Sequence, residues 1–299
     1  MAGVCEVGYL LGLVTVFLFL RFEANFVDCI LHQITTPRIP SFLTLMIVSS
    51  YQEFLPHPHL RLYIEAYWRC TVPEAASVVS YNVFPDCCAD IIINLRRKTG
   101  QSRASLVGTM TTFLPTSLSG GDCLLGIRFK PAGLTLLCDV PLQGTSDIVV
   151  DEVPRLFTTF LVQQERALHS ADWQKTLDAF FLSNIPVQTA PILTMVSAIT
   201  QKKGLVRVQD ITSAAAINER RLERLFHQHI GVSPRTFCKL VRFHAAFTAL
   251  AQKPISQSLL DFAWDYGYYD NAHLTNDFKK YTGQAPSLFS PSVSDSSKA

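Results

Sequence analysis

The strongest constraint on the fold is a repeat. Leu222, Phe226, Gly231, Pro234 and Phe237 recur as Leu274, Phe278, Gly283, Pro286 and Phe289, each 52 residues later. Asn218 and Asp270 share that spacing, and both are residue types that cap helix N-termini. Five matched landmarks and a matched cap identify an internal duplication. In the second copy Leu274, Phe278 and Tyr281 form a stripe at i, i+4, i+7. Gly283 ends that helix and Pro286 forbids its continuation. Upstream, Leu259, Leu260, Ala263 and Trp264 supply apolar positions at helical spacing. Gly267 then supplies the left-handed residue with which a chain leaves a helix. Helix, tight turn, helix is the helix-turn-helix unit, whose second helix can enter a DNA major groove.

The spacing predicts a scaffold helix over Pro191–Lys202 and a first unit over Val208–Ala216 and Asn218–Ile230. A second unit is expected over Ser256–Tyr266 and Asn271–Tyr281. Between them Pro234–Ala251 reads as a joining helix, about 27 Å long at ~1.5 Å per residue. That is near the rise of one DNA turn, about 34 Å, so the two recognition helices can occupy successive major grooves. In the first, Leu222, Leu225 and Phe226 face inward, leaving Arg220, Glu223, Arg224 and His227 on the other side. Arg bonds bidentately to guanine and Glu accepts from cytosine N4; the alternative is a solvated face of Glu–Arg pairs. The second helix offers Asn271, Ala272, Thr275 and Asn276 for adenine and the thymine methyl. Asp277 puts a negative charge beside them, so this helix is expected to bind more weakly. Arg235, Lys253, Lys279 and Lys280 are candidate phosphate contacts.

These residues resemble the DNA-binding domain of AraC-type (AraC/XylS family) bacterial transcription regulators, over residues 190–290. The stretch DFAWDYGYYDNAHLTNDFKKYTGQAP matches closely, and Glu219 to Phe226 match well. Relatives usually carry Ala, Leu, Gly and Ser where this chain has Thr212, Ala215, Ala216 and Asn218. Ala216 in place of a turn glycine costs about 1 kcal/mol if its φ is positive. In the family, bases are contacted from the positions matching Arg220, Glu223 and Arg224, and many relatives carry Arg at Asn276. The order YNVFPD, ADIIINL, LVGTM, LLGIRFKPAGL is similar to an N-terminal domain often found before such readers, for which a sensing role is expected without a particular ligand. The resemblance implies a non-enzymatic, sequence-specific regulator of cytoplasmic, nucleoid-associated location, with no cofactor. Its partners would be double-stranded promoter or operator DNA and RNA polymerase, with a small-molecule effector and a homodimer as further candidates.

The fold class expected is therefore multidomain α+β: a strand-rich N-terminal domain, then an all-α C-terminal domain with two helix-turn-helix units joined by a long helix. Residues 190–299 hold 13 Lys/Arg against 8 Asp/Glu, and residues 1–189 hold 13 against 16. A basic half on an acidic half suits a partner made of phosphates. Strands are expected at Val78–Phe84, Ile91–Leu95, Ser105–Val107 and Cys123–Lys130. A helix from Pro154 would run through Leu156, Phe160, Leu161 and Leu168, and a second would span Asp172–Leu182. The boundaries expected are a 1–50 extension, a 51–153 sensory or dimerisation domain, a 154–186 helical connector, a 187–290 reader and a 291–299 disordered tail. The connector either packs on the N-terminal domain or holds a dimer contact.

Val7 to Leu20 is a largely apolar run, short of the ~20 residues of a membrane helix and without the basic flank of a signal peptide. Three readings stand: an over-extended start with the native protein beginning at Met46, a membrane anchor, or a core helix. The eight cysteines include no C-x-x-C pair and suit reduced thiols in a cytosol, with Cys87-Cys88 a candidate redox pair. His57, His59 and Glu65 are a weak metal candidate, more readily read as surface residues, and no metal is expected. A rival function is a DNA-repair-type methyl acceptor, which would need Cys70, Cys87, Cys88 and Cys123 to hold zinc.

Overall fold

The structure, a computed structural model, describes residues 50–290 apart from 77, 96–101, 152 and 188–189. The expectations for Val7–Leu20, Met46 and the 291–299 tail lie outside the described residues. The first half is built from β1 (Ser50–Phe54), β2 (Ile64–Thr71), β3 (Val79–Val83), β4 (Ala89–Asn94), β5 (Arg103–Val107), β6 (Leu114–Leu118), β7 (Cys123–Phe129), α1 (Gly133–Cys138) and β8 (Val149–Val150). Helices α2 (Arg155–Leu168) and α3 (Trp173–Leu182) follow. Six strands form an antiparallel sheet in the order β1-β2-β7-β4-β5-β8, and β3 pairs with β6 in a second, two-stranded sheet.

Strand β4, ADIIIN, shows how the sequence divides the large sheet into two faces. Ala89, Ile91 and Ile93 are buried on one side, while Asp90, Ile92 and Asn94 take the other at the strand period of two. The first face packs on α2 and α3: Phe129 meets Phe181 at 5.5 Å and Phe54 meets Trp173 at 5.3 Å. Asp178 of α3 accepts hydrogen bonds from the Tyr67 hydroxyl at 3.0 Å and the His57 backbone N–H at 2.9 Å. The two helices after residue 153 thus cover the sheet of the N-terminal half. Helix α2 buries Phe157, Phe160, Leu161 and Leu168. Leu156 is half exposed because it lies one residue off that stripe.

The second half is helical: α4 (Pro191–Gln201), α5 (Val208–Ala215), α6 (Glu219–His229), α7 (Pro234–Leu250), α8 (Leu259–Asp265) and α9 (Asn271–Thr282). Its core is aromatic and uses the duplicated positions. Phe226 packs on Phe237 at 5.7 Å, and Phe243 packs on Phe278 at 5.3 Å and on Tyr281 at 4.6 Å. Among the described residues no helix is long and apolar enough to cross a membrane.

Candidate nucleic-acid interface

Each recognition helix is started by its own side-chain cap. Asn218 Oδ1 accepts from the Arg221 N–H at 2.8 Å at the head of α6, and Asp270 Oδ1 accepts from the His273 N–H at 2.7 Å at the head of α9. Both caps remove an orphan donor from the first turn. The turn before α6 pivots on Ala216 at φ +51°, and that before α9 on Gly267 at φ +70°. Leu222 and Phe226 are fully buried in α6, as are Leu274 and Phe278 in α9. The opposite faces are therefore fixed outward by packing, not by chance.

On α6 that outward face carries Arg220 and Arg224, both exposed, and half-buried Glu223. Glu223 Oε2 lies 3.6 Å from His227 Nε2, a contact along one helix face. On α9 it carries Asn271, Ala272 and Asn276, all exposed, with Thr275 half-buried. The candidate phosphate contacts divide. Lys279 and Lys280 are exposed on α9, and exposed Arg235 lies 3.5 Å from Glu219. The Lys253 ammonium is turned onto the carbonyls of Pro254 and Gln257, closing the loop between α7 and α8.

Two residues sit differently from the sequence expectation. Asp277 does not add a free negative charge to the reading face of α9. It accepts from Arg242 of α7 at 3.1 Å, and the Arg242 guanidinium stacks over Tyr268 at 4.5 Å. This ion pair joins α9 to the joining helix in a largely buried setting, and sequence spacing gives no sign of it. Trp264 is 57% exposed, its indole N–H donating to the Tyr269 carbonyl at 3.1 Å, so Phe262 and Ala263 form the inward face of α8 instead.

The far ends of both recognition helices are held by the N-terminal half. At the end of α6, the Thr109 hydroxyl donates to the Ile230 carbonyl at 2.6 Å and the Ser146 hydroxyl to the Gly231 carbonyl at 2.8 Å. The Leu142 N–H donates to Gln228 at 2.9 Å, and Thr135 Oγ1 lies 2.9 Å from His229 Nδ1. At the end of α9, the Thr112 hydroxyl donates to the Lys280 carbonyl at 3.1 Å. Gly231 has φ +87°, and a Cβ there would stand 2.9 Å from the Leu142 carbonyl oxygen. Only glycine allows that backbone both its left-handed turn and its approach to the neighbouring segment.

Behind this contact lies a cavity of about 660 Å³ on the second face of the large sheet. Its floor is Tyr51, Trp68, Leu124, Arg128, Asp90, Ile92 and Asn94, and β3 and β6 supply Tyr81 and Thr116. Trp68 lies flat over Gly126, where any Cβ would enter the ring, and its indole N–H donates to Asp90 at 3.2 Å. Arg128 meets Glu53 at 2.9 Å, Asp86 at 3.3 Å and Asp90 at 3.8 Å. Residues 108–114 line the cavity and hold the reader alternately: Gly108, Met110 and Leu114 face the space, while Thr109 and Thr112 bond the recognition helices. Phe84 also lines it and packs on Phe247 of α7 at 5.8 Å.

Two capped helix-turn-helix units on one scaffold define a double helix-turn-helix domain. Residues 211–290 match the family described as helix-turn-helix domain, and residues 52–151 match a domain of unknown function, DUF6597. An uncharacterized HTH-type transcriptional regulator of Haemophilus influenzae is 32% identical over 100 residues, 33% of this chain and 33% of that protein. The chain thus spans about a third of the length of that relative. A structure of ToxT from Vibrio cholerae is 11% identical and covers 81% of this chain and 97% of that one, with a TM-score of 0.40. A second, of ToxT with an unsaturated fatty acid bound, is 14% identical and covers 71% and 93%, with a TM-score of 0.35. At these scores nothing about ligand or mechanism carries over. The C-terminal half is an AraC-type helix-turn-helix domain, preceded by a DUF6597 domain.

Proposed function

We propose that the chain is a sequence-specific DNA-binding transcription regulator whose N-terminal cavity takes a small-molecule effector. The observation that carries the DNA reading is the pair of capped helices α6 and α9, apolar inward and polar outward at duplicated positions. Arg220, Glu223 and Arg224 read bases from α6; Asn271, Ala272, Thr275 and Asn276 read them from α9. Lys279, Lys280 and Arg235 position the protein on phosphates. The effector reading rests on residues 108–114, whose side chains alternate between cavity and recognition helices. An occupant that displaces Met110 moves the anchor of Thr109, so the cavity and the reading heads share one segment of backbone.

Burial raises the pKa of Cys87 and of Cys88, which favours the thiol over the thiolate at both. The groups of His, Cys, Asp and Glu among the described residues include no set able to hold a metal ion. The test is selection of binding sites from random DNA by the full chain, followed by titration at several salt concentrations. One enriched motif and an affinity that falls steeply with salt, through counterion release, are expected. Enrichment of no motif would overturn the reading.

A further inference from the structure

The cavity is polarised. At one end the lining carboxylates Asp86 and Asp90, together with Glu53, surround the guanidinium of Arg128, an excess of two negative charges within this described cluster. All four side chains are less than a quarter exposed. Buried charge of one sign is costly unless a partner neutralises it. Among the described residues, neither other basic group nearby does so. Burial lowers the pKa of His244 of α7, which disfavours its charged form. Arg103 also lines the cavity, exposed at the rim; its backbone pairs across the sheet with Asn94, four residues along β4 from Asp90, a backbone separation of about 13 Å. Asn94 Oδ1, further along the cavity floor, is buried with no hydrogen-bond partner. The walls between these ends are aromatic and aliphatic: Tyr51 and Trp68, stacked at 5.8 Å, with Tyr81, Ile92 and Leu124. Carboxylates beside aromatic faces are the chemistry that recognises an ammonium group.

We propose that the cavity binds an organic amine in its ammonium form, its cationic head at Asp86 and Asp90 against Trp68 and its apolar body along Ile92 and Leu124. This rests on the reading of the cavity as the effector site. An ammonium brings hydrogen-bond donors and no acceptor, so it answers a site rich in acceptors and short of positive charge. A carboxylate of the same size would meet Asp86 and Asp90 as like charges. A neutral ligand would leave the excess charge in place.

The test is titration calorimetry of the full chain with three probes of one shape: 2-phenylethylamine, 2-phenylethanol and phenylacetate. The amine is expected to bind with more than tenfold preference over the other two, about 1.4 kcal/mol or more. Asp90→Asn and Asp86→Asn should each weaken the amine by roughly thirtyfold or more, as loss of one member of a desolvated charge pair does. Thermal melts of both variants establish that they are folded. Binding of the acid or the alcohol as tight as that of the amine overturns the proposal. So does binding of none of the three, or amine affinity unchanged in both variants. DNA binding is read separately on the same protein. DNA bound without the amine sinks the ligand class alone; the amine bound without DNA sinks the regulator reading alone.

Discussion

At the scale of single residues, two positions carry a measurable cost. Ala216 holds φ +51° at the turn of the first unit. A left-handed alanine costs about 1–2 kcal/mol, whereas glycine there gives back about 0.5–1 kcal/mol through its freer unfolded chain. Ala216→Gly should therefore stabilise the chain by roughly 0.5–1 kcal/mol, read as a higher denaturation midpoint; a lower midpoint would contradict this. The second position is Asp90, whose pKa is pushed up to about 6, chiefly by burial and in opposition to Arg128. The native state thus keeps this proton to higher pH than the unfolded chain, where the carboxyl titrates near ~3.9. Its contribution to stability is lost as pH rises through that window toward 6. Asp90→Asn should raise thermal stability at pH 7.5, and the gain should vanish near pH 4. A variant less stable than the parent at pH 7.5 would show that the Arg128 pairing outweighs the burial.

At the scale of elements, the contact between residues 108–114 and the recognition helices is the joint to probe. Thr109→Val keeps the shape and removes the bond to the Ile230 carbonyl, leaving a buried acceptor unpaired. A loss of about 1–3 kcal/mol is expected, with amide exchange rising at the end of α6 before it rises in β4. Uniform loosening of all elements would mean that the bond adds stability without coupling the two halves. The helical half was legible from sequence because its signals are local and repeated: caps at Asn218 and Asp270, stops at Gly231 and Gly283, and buried Leu and Phe between them. The strands legible in sequence were those rich in apolar or β-branched residues: β3, β4, β5 and β7. Strand β6, LPTSL, was missed because Pro115 argues against a strand, and it is admitted here because the sheet of β3 and β6 has only edges. Strand β1 was missed because only Tyr51 of SYQEF is fully buried.

At the scale of the whole molecule, what no local pattern shows is the meeting of distant segments. The cavity is assembled from alternate residues of several strands, and its only traces in the sequence are Asp90 inside an apolar strand and Gly126 beneath Trp68. The Arg242–Asp277 pair is equally nonlocal, and it neutralises the charge from which weaker binding by α9 is expected. The two helices still differ in chemistry. Joining helix α7 is 17 residues, about 25 Å at ~1.5 Å per residue, against about 34 Å for one turn of DNA. On the proposed reading, one chain sets α6 and α9 in successive major grooves, with the arginines on α6 as principal readers. Asn276→Ala should cost less affinity than Arg224→Ala, and Asn276→Arg should tighten binding on all DNAs through charge. The most direct measurement is a binding titration of Arg224→Ala on the selected site and on scrambled DNA of the same length. A loss of about 1–3 kcal/mol confined to the selected site, with one guanine-containing position relaxed, is predicted. Equal loss on both DNAs would place Arg224 on a phosphate and contradict α6 as the helix that reads the sequence.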